Sequence, residues 1–142
     1  MAGLDLVDET FVVAPPAVLA RIVADPESWR RWWPDLDLVV FMDRGQAGQR
    51  WSMTGALVGS MEIWIEPFAD GAILHHYMRG EPSEDGRIPK PWPDTPAGWR
   101  KAAAARARRA KAWKRSVWQL KSELEAGRAA GEDPVEAEEM PE

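Results

Sequence analysis

The chain has 142 residues, 45% hydrophobic and 29% charged, with a formal net charge of −5. That is the length of one ordinary domain and the composition of a globular chain, which excludes wholesale disorder. There are no cysteines and only two histidines, His75 and His76, so disulfides, thiolate zinc sites, cysteine nucleophiles and a three-histidine metal site are excluded, and no cofactor is expected.

No run approaches about 18 apolar residues, and the opening MAGLDLVDETF has neither a basic n-region nor an apolar h-region. The reading is therefore no membrane span, no signal peptide and a cytoplasmic location. The charge is blocked. Residues 1–96 carry 8 basic and 15 acidic side chains, residues 97–128 carry 10 and 2, and residues 129–142 carry none and 6. A basic helix invites a nucleic-acid reading, but an acidic protein repels a polyanion at long range, and Arg and Lys are ordinary helix formers. Nucleic acid is not an expected partner. The acidic segment 129–142, with two prolines and little apolar content, is expected to be a disordered tail outside a single domain over residues 1–128.

In chain order, LDLVDETFVVA (4–14) partly alternates and reads as a strand, ended by Pro15 and Pro16. AVLARIVA (17–24) has the spacing of a two-turn amphipathic helix opened by Pro16. Asp25 caps a second short helix, PESWRRWW, closed by Pro34. LDLVVFMD (36–43), QRWSMTG (49–55), SMEIWIEPF (60–68) and AILHHYMRG (72–80) read as four further strands, with turns at Arg44–Gly48 and Ala69–Gly71. Residues 81–98 hold five prolines and no apolar period, so they form a long loop. A helix then runs from Thr95 or Ala97 to Arg128, with Gly127 and Gly131 as stops. Its stripe is Trp113, Val117, Leu120 and Leu124, extended backward through Ala110, Arg106, Ala103 and Trp99. An antiparallel sheet needs cover on one face, and the long helix can supply it. The expected architecture is α+β, about five antiparallel strands wrapped on a long C-terminal helix, with two short helices after strand 1.

The opening APPAVLARIVADPESWRRWWPDL carries a more specific pattern: a short amphipathic helix, Asp25-Pro26, Trp29, and a Trp33-Pro34 step into the second strand. Together with the closing hairpin and the Trp-rich last helix, this resembles the polyketide cyclase/dehydrase and lipid-transport family of the START-like, or SRPBCC, helix-grip superfamily, over about residues 5–126. A typical member has seven strands and this chain offers five, one hairpin fewer between Trp51 and Met61. The resemblance implies a reduced helix-grip fold with a hydrophobic cavity between sheet and helix, smaller or more open than usual. It also leaves an edge strand that a second copy can cover, so a homodimer is among the expected partners.

The resemblance implies a ligand: a small hydrophobic or aromatic metabolite, polyketide- or lipid-like. The expected lining is Trp51, Met53, Met61, Ile63, Ile65, Leu74, His76 and Met78 from the sheet, and Trp99, Ala103, Arg106, Ala110 and Trp113 from the helix, with Arg109 beside them. The same residues fill a plain core equally well. Arg106, about 20° from Trp113 on the helical wheel, reads either as a guanidinium for a ligand carboxylate or enolate, or as a salt-bridged or solvent-overhanging side chain. His76 is the only inward base; it reads as a general acid/base of a cyclase or dehydratase, or as a core histidine. No carboxylate–histidine metal box, phosphate loop or serine elbow is present. Trp29, Trp32 and Trp33 are expected near the cavity mouth. Trp64 and Trp118 lie off the inward pattern and suit a third reading, an interaction module without a ligand.

Overall fold

Two prolines and an aspartate set the first joints. Strand β1 (Leu4–Val12) stops short of Pro15, and Pro16 opens helix α1 (Pro16–Ala24). Asp25 ends α1, and its side chain accepts the Glu27 N–H at the start of helix α2 (Pro26–Trp32). Proline at a helix start has no N–H to waste and a preset φ. The structure, a computed structural model, describes residues 3–126. Strand β2 (Leu36–Asp43) has a register shift between Val40 and Met42 and passes through a 3-10 turn at Gly45–Ala47. Strands β3 (Gly48–Gly55), β4 (Leu57–Phe68) and β5 (Gly71–Pro82) follow. A loop over residues 83–95 leads to helix α3 (Pro96–Glu125), where Thr95 caps the Gly98 N–H.

The sheet order is β1-β5-β4-β3-β2, antiparallel throughout. This is the expected α+β arrangement of five strands, two short helices after the first strand, and one long helix. The missing hairpin lies at the tight β3–β4 turn. Gly55 sits there at φ +104°, and a Cβ would come 2.7 Å from the Asp35 carbonyl oxygen, so only glycine fits.

Alternation sorts the strands. Leu4, Leu6, Trp51, Met53, Met61, Ile63, Ile65, Leu74, His76 and Met78 are buried, while Ser60, Glu62, Trp64, Tyr77 and Arg79 take the intervening outward positions. Helix α3 is held against β1 by polar contacts. Asp8 accepts from Trp113 Nε1 at 3.1 Å, Thr10 Oγ1 at 3.1 Å and Lys114 Nζ at 2.9 Å. Lys121 donates to the Phe11 carbonyl, and the Val13 N–H donates to Glu125.

The buried face of α3 comprises Gly98, Ala102, Ala105, Trp113, Val117, Leu120 and Leu124. This corrects the straight stripe expected upstream of Trp113. Trp99, Ala103 and Arg106 are exposed, and Ala110 is half-buried. The face turns along the helix: eight residues at 100° put Ala105 about 80° away from Trp113. The C-terminal half faces the sheet, whereas the N-terminal half is turned toward the proline loop. There, Gly98 packs so tightly that a Cβ would lie 1.7 Å from the Pro93 carbonyl oxygen. The expected helix stops at Gly127 and Gly131 and the acidic tail over 129–142 lie outside the described residues.

Candidate ligand-binding site

The middle of the grip is filled by rings. Trp33 stacks on Trp113 at 5.5 Å with 12° between planes, and on His76 at 5.5 Å and 24°; His76 lies 4.6 Å from Trp113. Trp51 meets Trp33 at 5.9 Å and Trp29 at 5.5 Å, and Trp32 packs edge-on against both Trp33 and Trp113. These rings come from α2, β3, β5 and α3. Local sequence explains their convergence: Pro34 ends α2 just after Trp33, so the helix delivers its tryptophans over the sheet instead of past it. Trp29, Trp32 and Trp33, expected at a cavity mouth, occupy the place a cavity would take.

His76 is fully buried in this stack. Burial pushes its pKa down from 6.5 to about 4, against the opposing pull of the Asp8 carboxylate. The ring is therefore neutral at neutral pH. Among the described residues, neither of its nitrogens has a hydrogen-bond partner, nor does Trp51 Nε1 or Gln49 Oε1. A base sealed this way cannot reach a substrate without movement of Trp33 or Trp113.

Between sheet and helix, open space is found at one end of the grip. A hollow of about 440 Å³ is lined by Leu4, Leu57, Pro82, Trp92, Ala105 and Ala112, with Arg108, Arg109 and Asp35 as its charged groups. Leu4 and Leu57 are buried sheet residues; Ala105 belongs to the turned half of α3 and Ala112 is an exposed residue just past the middle of the helix, and their small side chains leave the gap. Trp92 is brought in by the proline loop, which is pinned at its base by Lys90 N–H to the Pro82 carbonyl and at its tip by Gly86 carbonyl to the Gly55 N–H. Asp85 organises the loop by accepting the Ile88 and Arg87 N–H groups and the Ser83 hydroxyl, and those bonds hold its carboxyl below the ordinary range.

Arg109 grips Asp35 with both nitrogens, at 2.9 and 2.6 Å. Partial burial pulls the Asp35 carboxyl upward, but the hydrogen bonds and charge of Arg109 outweigh it and keep the group below its usual range. Arg108 makes no ion pair among the described residues. Arg109 is the one sequence-derived site residue that lines the hollow. Trp51, Met53, Met61, Ile63, His76, Met78 and Trp113 belong to the packed interior, and Arg106 points to solvent. Asp35, Leu57 and Arg108 carried no pattern that sequence reading could use, whereas the run of alanines 102–105, 107, 110 and 112 marks a slim stretch of helix with room beside it. Of the two stray tryptophans, Trp64 is stacked 4.4 Å from His75 on the outer sheet face, and Trp118 is exposed. Among the described residues, no group of three or more His, Asp or Glu could hold a metal ion, and no helix is long and apolar enough to cross a membrane.

No protein-family model matches the chain, and no curated protein matches it. Solved structures do. The chain is similar to the Aha1 dimer from Colwellia psychrerythraea (TM-score 0.57, 12% identity, 89% of this chain and 99% of that one). It is also similar to the Polyketide_cyc-like protein Cgl2372 from Corynebacterium glutamicum (TM-score 0.55, 15% identity, 89% and 96%). A third likeness is to protein MLL2253 from Mesorhizobium loti (TM-score 0.56, 14% identity, 82% and 95%). What these likenesses establish is the fold. The chain shares the fold of these proteins, a helix-grip arrangement, here in a five-stranded form.

Proposed function

We propose that the protein binds a small, flat hydrophobic or aromatic metabolite bearing an acidic group, polyketide-like or fatty-acid-like, in the hollow between α3, the proline loop and the β3–β4 turn. The observation that carries this reading is the composition of that hollow. It is mostly apolar, of ligand size, and holds two guanidiniums, one of them unpaired among the described residues. A flat ring packs against Trp92 and the alanines, while a carboxylate or enolate pairs with Arg108 and competes with Asp35 for Arg109. Binding is favoured over cyclase or dehydratase chemistry because the inward histidine is sealed away from the hollow and the only carboxylate there is held ionised by Arg109.

The test is a titration with a panel of hydroxylated naphthoic acids and fatty acids, read by tryptophan fluorescence and by thermal shift. The expected result is saturable binding that weakens at least about tenfold in Ala112→Trp, which fills the hollow from an exposed helix position. Absence of any response, or a response that Ala112→Trp leaves intact, contradicts the reading.

A further inference from the structure

Helix α3 uses some of its cations and leaves others bare. Arg109 is held by Asp35, Lys114 by Asp8, and Lys121 by the Phe11 carbonyl and Glu125. In contrast, Arg100, Lys101, Arg108, Lys111 and Arg115 are exposed, and none has a hydrogen bond or ion pair among the described residues. At about 100° per residue, these five fall within one arc of about 100°, on the side of the helix opposite Trp113, Val117, Leu120 and Leu124. No acidic residue occurs on α3 before Glu123. Arg108, Lys111 and Arg115, spaced three and four apart, therefore repel one another with no carboxylate between them. The result is a cationic ridge about 22 Å long, at about 1.5 Å per residue.

We propose that the chain's own acidic segment, residues 132–142, folds back after α3 and lies antiparallel along this ridge. Charge selects this occupant. GEDPVEAEEMPE (131–142) carries six acidic side chains and no basic one, against five unpaired cations on the ridge. Length selects it too. From Ala126 back to Arg100 the helix covers about 39 Å, at about 1.5 Å per residue. Residues 127–131 hold two glycines for the turn, and residues 132–142 span about 36 Å when extended. The acidic side chains thus run past Arg115, Lys111 and Arg108 to the neighbourhood of Lys101. A separate polyanion fits less well, because the chain as a whole is at −5 and repels it at long range. The segment is already tethered beside the ridge, at an effective concentration on the order of millimolar. Each exposed ion pair contributes little and is screened by salt, so the hold comes from their number and from the tether.

Paramagnetic relaxation enhancement tests this on the full chain, which has no cysteine of its own. A nitroxide on Ala137→Cys is expected to cut the ¹H–¹⁵N signals of Ala104, Ala107 and the Trp118 indole, all on the ridge side of α3, at least about twofold. The loss is expected to vanish at about 0.5 M salt and in Lys111→Glu/Arg115→Glu, with circular dichroism unchanged. Full intensity at Ala104 and Ala107, or a loss indifferent to salt and to the double variant, overturns the proposal. A loss of the same size in ¹⁵N chain without nitroxide, mixed with spin-labelled ¹⁴N chain, places the segment on a second copy and overturns the fold-back. Ridge signals that ignore the label but shift with a duplex oligonucleotide assign the ridge to nucleic acid and overturn it as well. Ala137, Lys111 and Arg115 do not line the hollow, so the outcome is independent of ligand binding.

Discussion

The centre of the grip and its open end are built from the same two layers, the sheet and α3, yet they have opposite characters. At the centre, α3 presents Trp113, and α2 lays Trp29, Trp32 and Trp33 over Trp51 and His76 in contacting rings. At the open end, α3 presents Ala105 and Ala112, no tryptophan from α2 reaches in, and a hollow remains with charged groups at its rim. Side-chain volume on one helix decides which part of a shared layer is core and which is hollow. In this fold, the rings of α2 hold the centre, and open space is left where they stop.

The largest expected effect falls on the centre. Trp113→Ala removes a stacked ring and the donor to Asp8, and destabilises the protein by about 3–5 kcal/mol in urea unfolding. A loss under about 1 kcal/mol means that the interior is not packed as described.

Acid probes the same region. Between pH 6.5 and about 4, the unfolded chain carries a proton on His76 that the folded chain refuses. The unfolded state then binds more protons, so stability falls as pH drops through this window, by on the order of 3 kcal/mol from this residue. In His76→Phe, which keeps a ring in the stack, the unfolding free energy lost between pH 6.5 and about 4 is smaller than in wild type by that amount, read from urea unfolding at each pH. Equal losses contradict the sealed, neutral histidine.

The open end responds to a smaller change. Asp35→Asn breaks a half-exposed ion pair, so stability moves by about 1 kcal/mol or less. The freed Arg109 then binds an anionic probe several-fold more tightly, measured by the same fluorescence titration. Weaker binding in this variant separates Asp35–Arg109 from the site. The smallest effect is expected on the outer face, where Trp64→Ala removes only a ring stacked on His75 and costs about 1 kcal/mol in urea unfolding; a loss several times larger would make that face part of the core.

Local signals were the legible part of the fold. Pro16, Asp25-Pro26 and Thr95-Pro96 mark helix starts through capping geometry, and the alternation of Met61, Ile63 and Ile65 marks an inward face, because each effect acts over a few residues. The hollow was illegible for the converse reason. Arg109 and Asp35 are 74 residues apart, and their meeting depends on how α3 turns over the sheet. The stripe from Trp113 to Leu124, extended upstream as a straight line, puts Arg106 inward, where the structure exposes it. The filling of the centre was illegible too, since an inward tryptophan reads the same whether it lines a cavity or closes one.

The indole N–H signals of the nine tryptophans test the division between centre and end most directly, followed by ¹H–¹⁵N NMR during titration with an aromatic carboxylic acid. Trp92 should move first and saturably while Trp51, Trp33 and Trp113 hold their positions. Shifts led by Trp51 and Trp113, with Trp92 unmoved, would put the guest inside the ring stack and contradict the account.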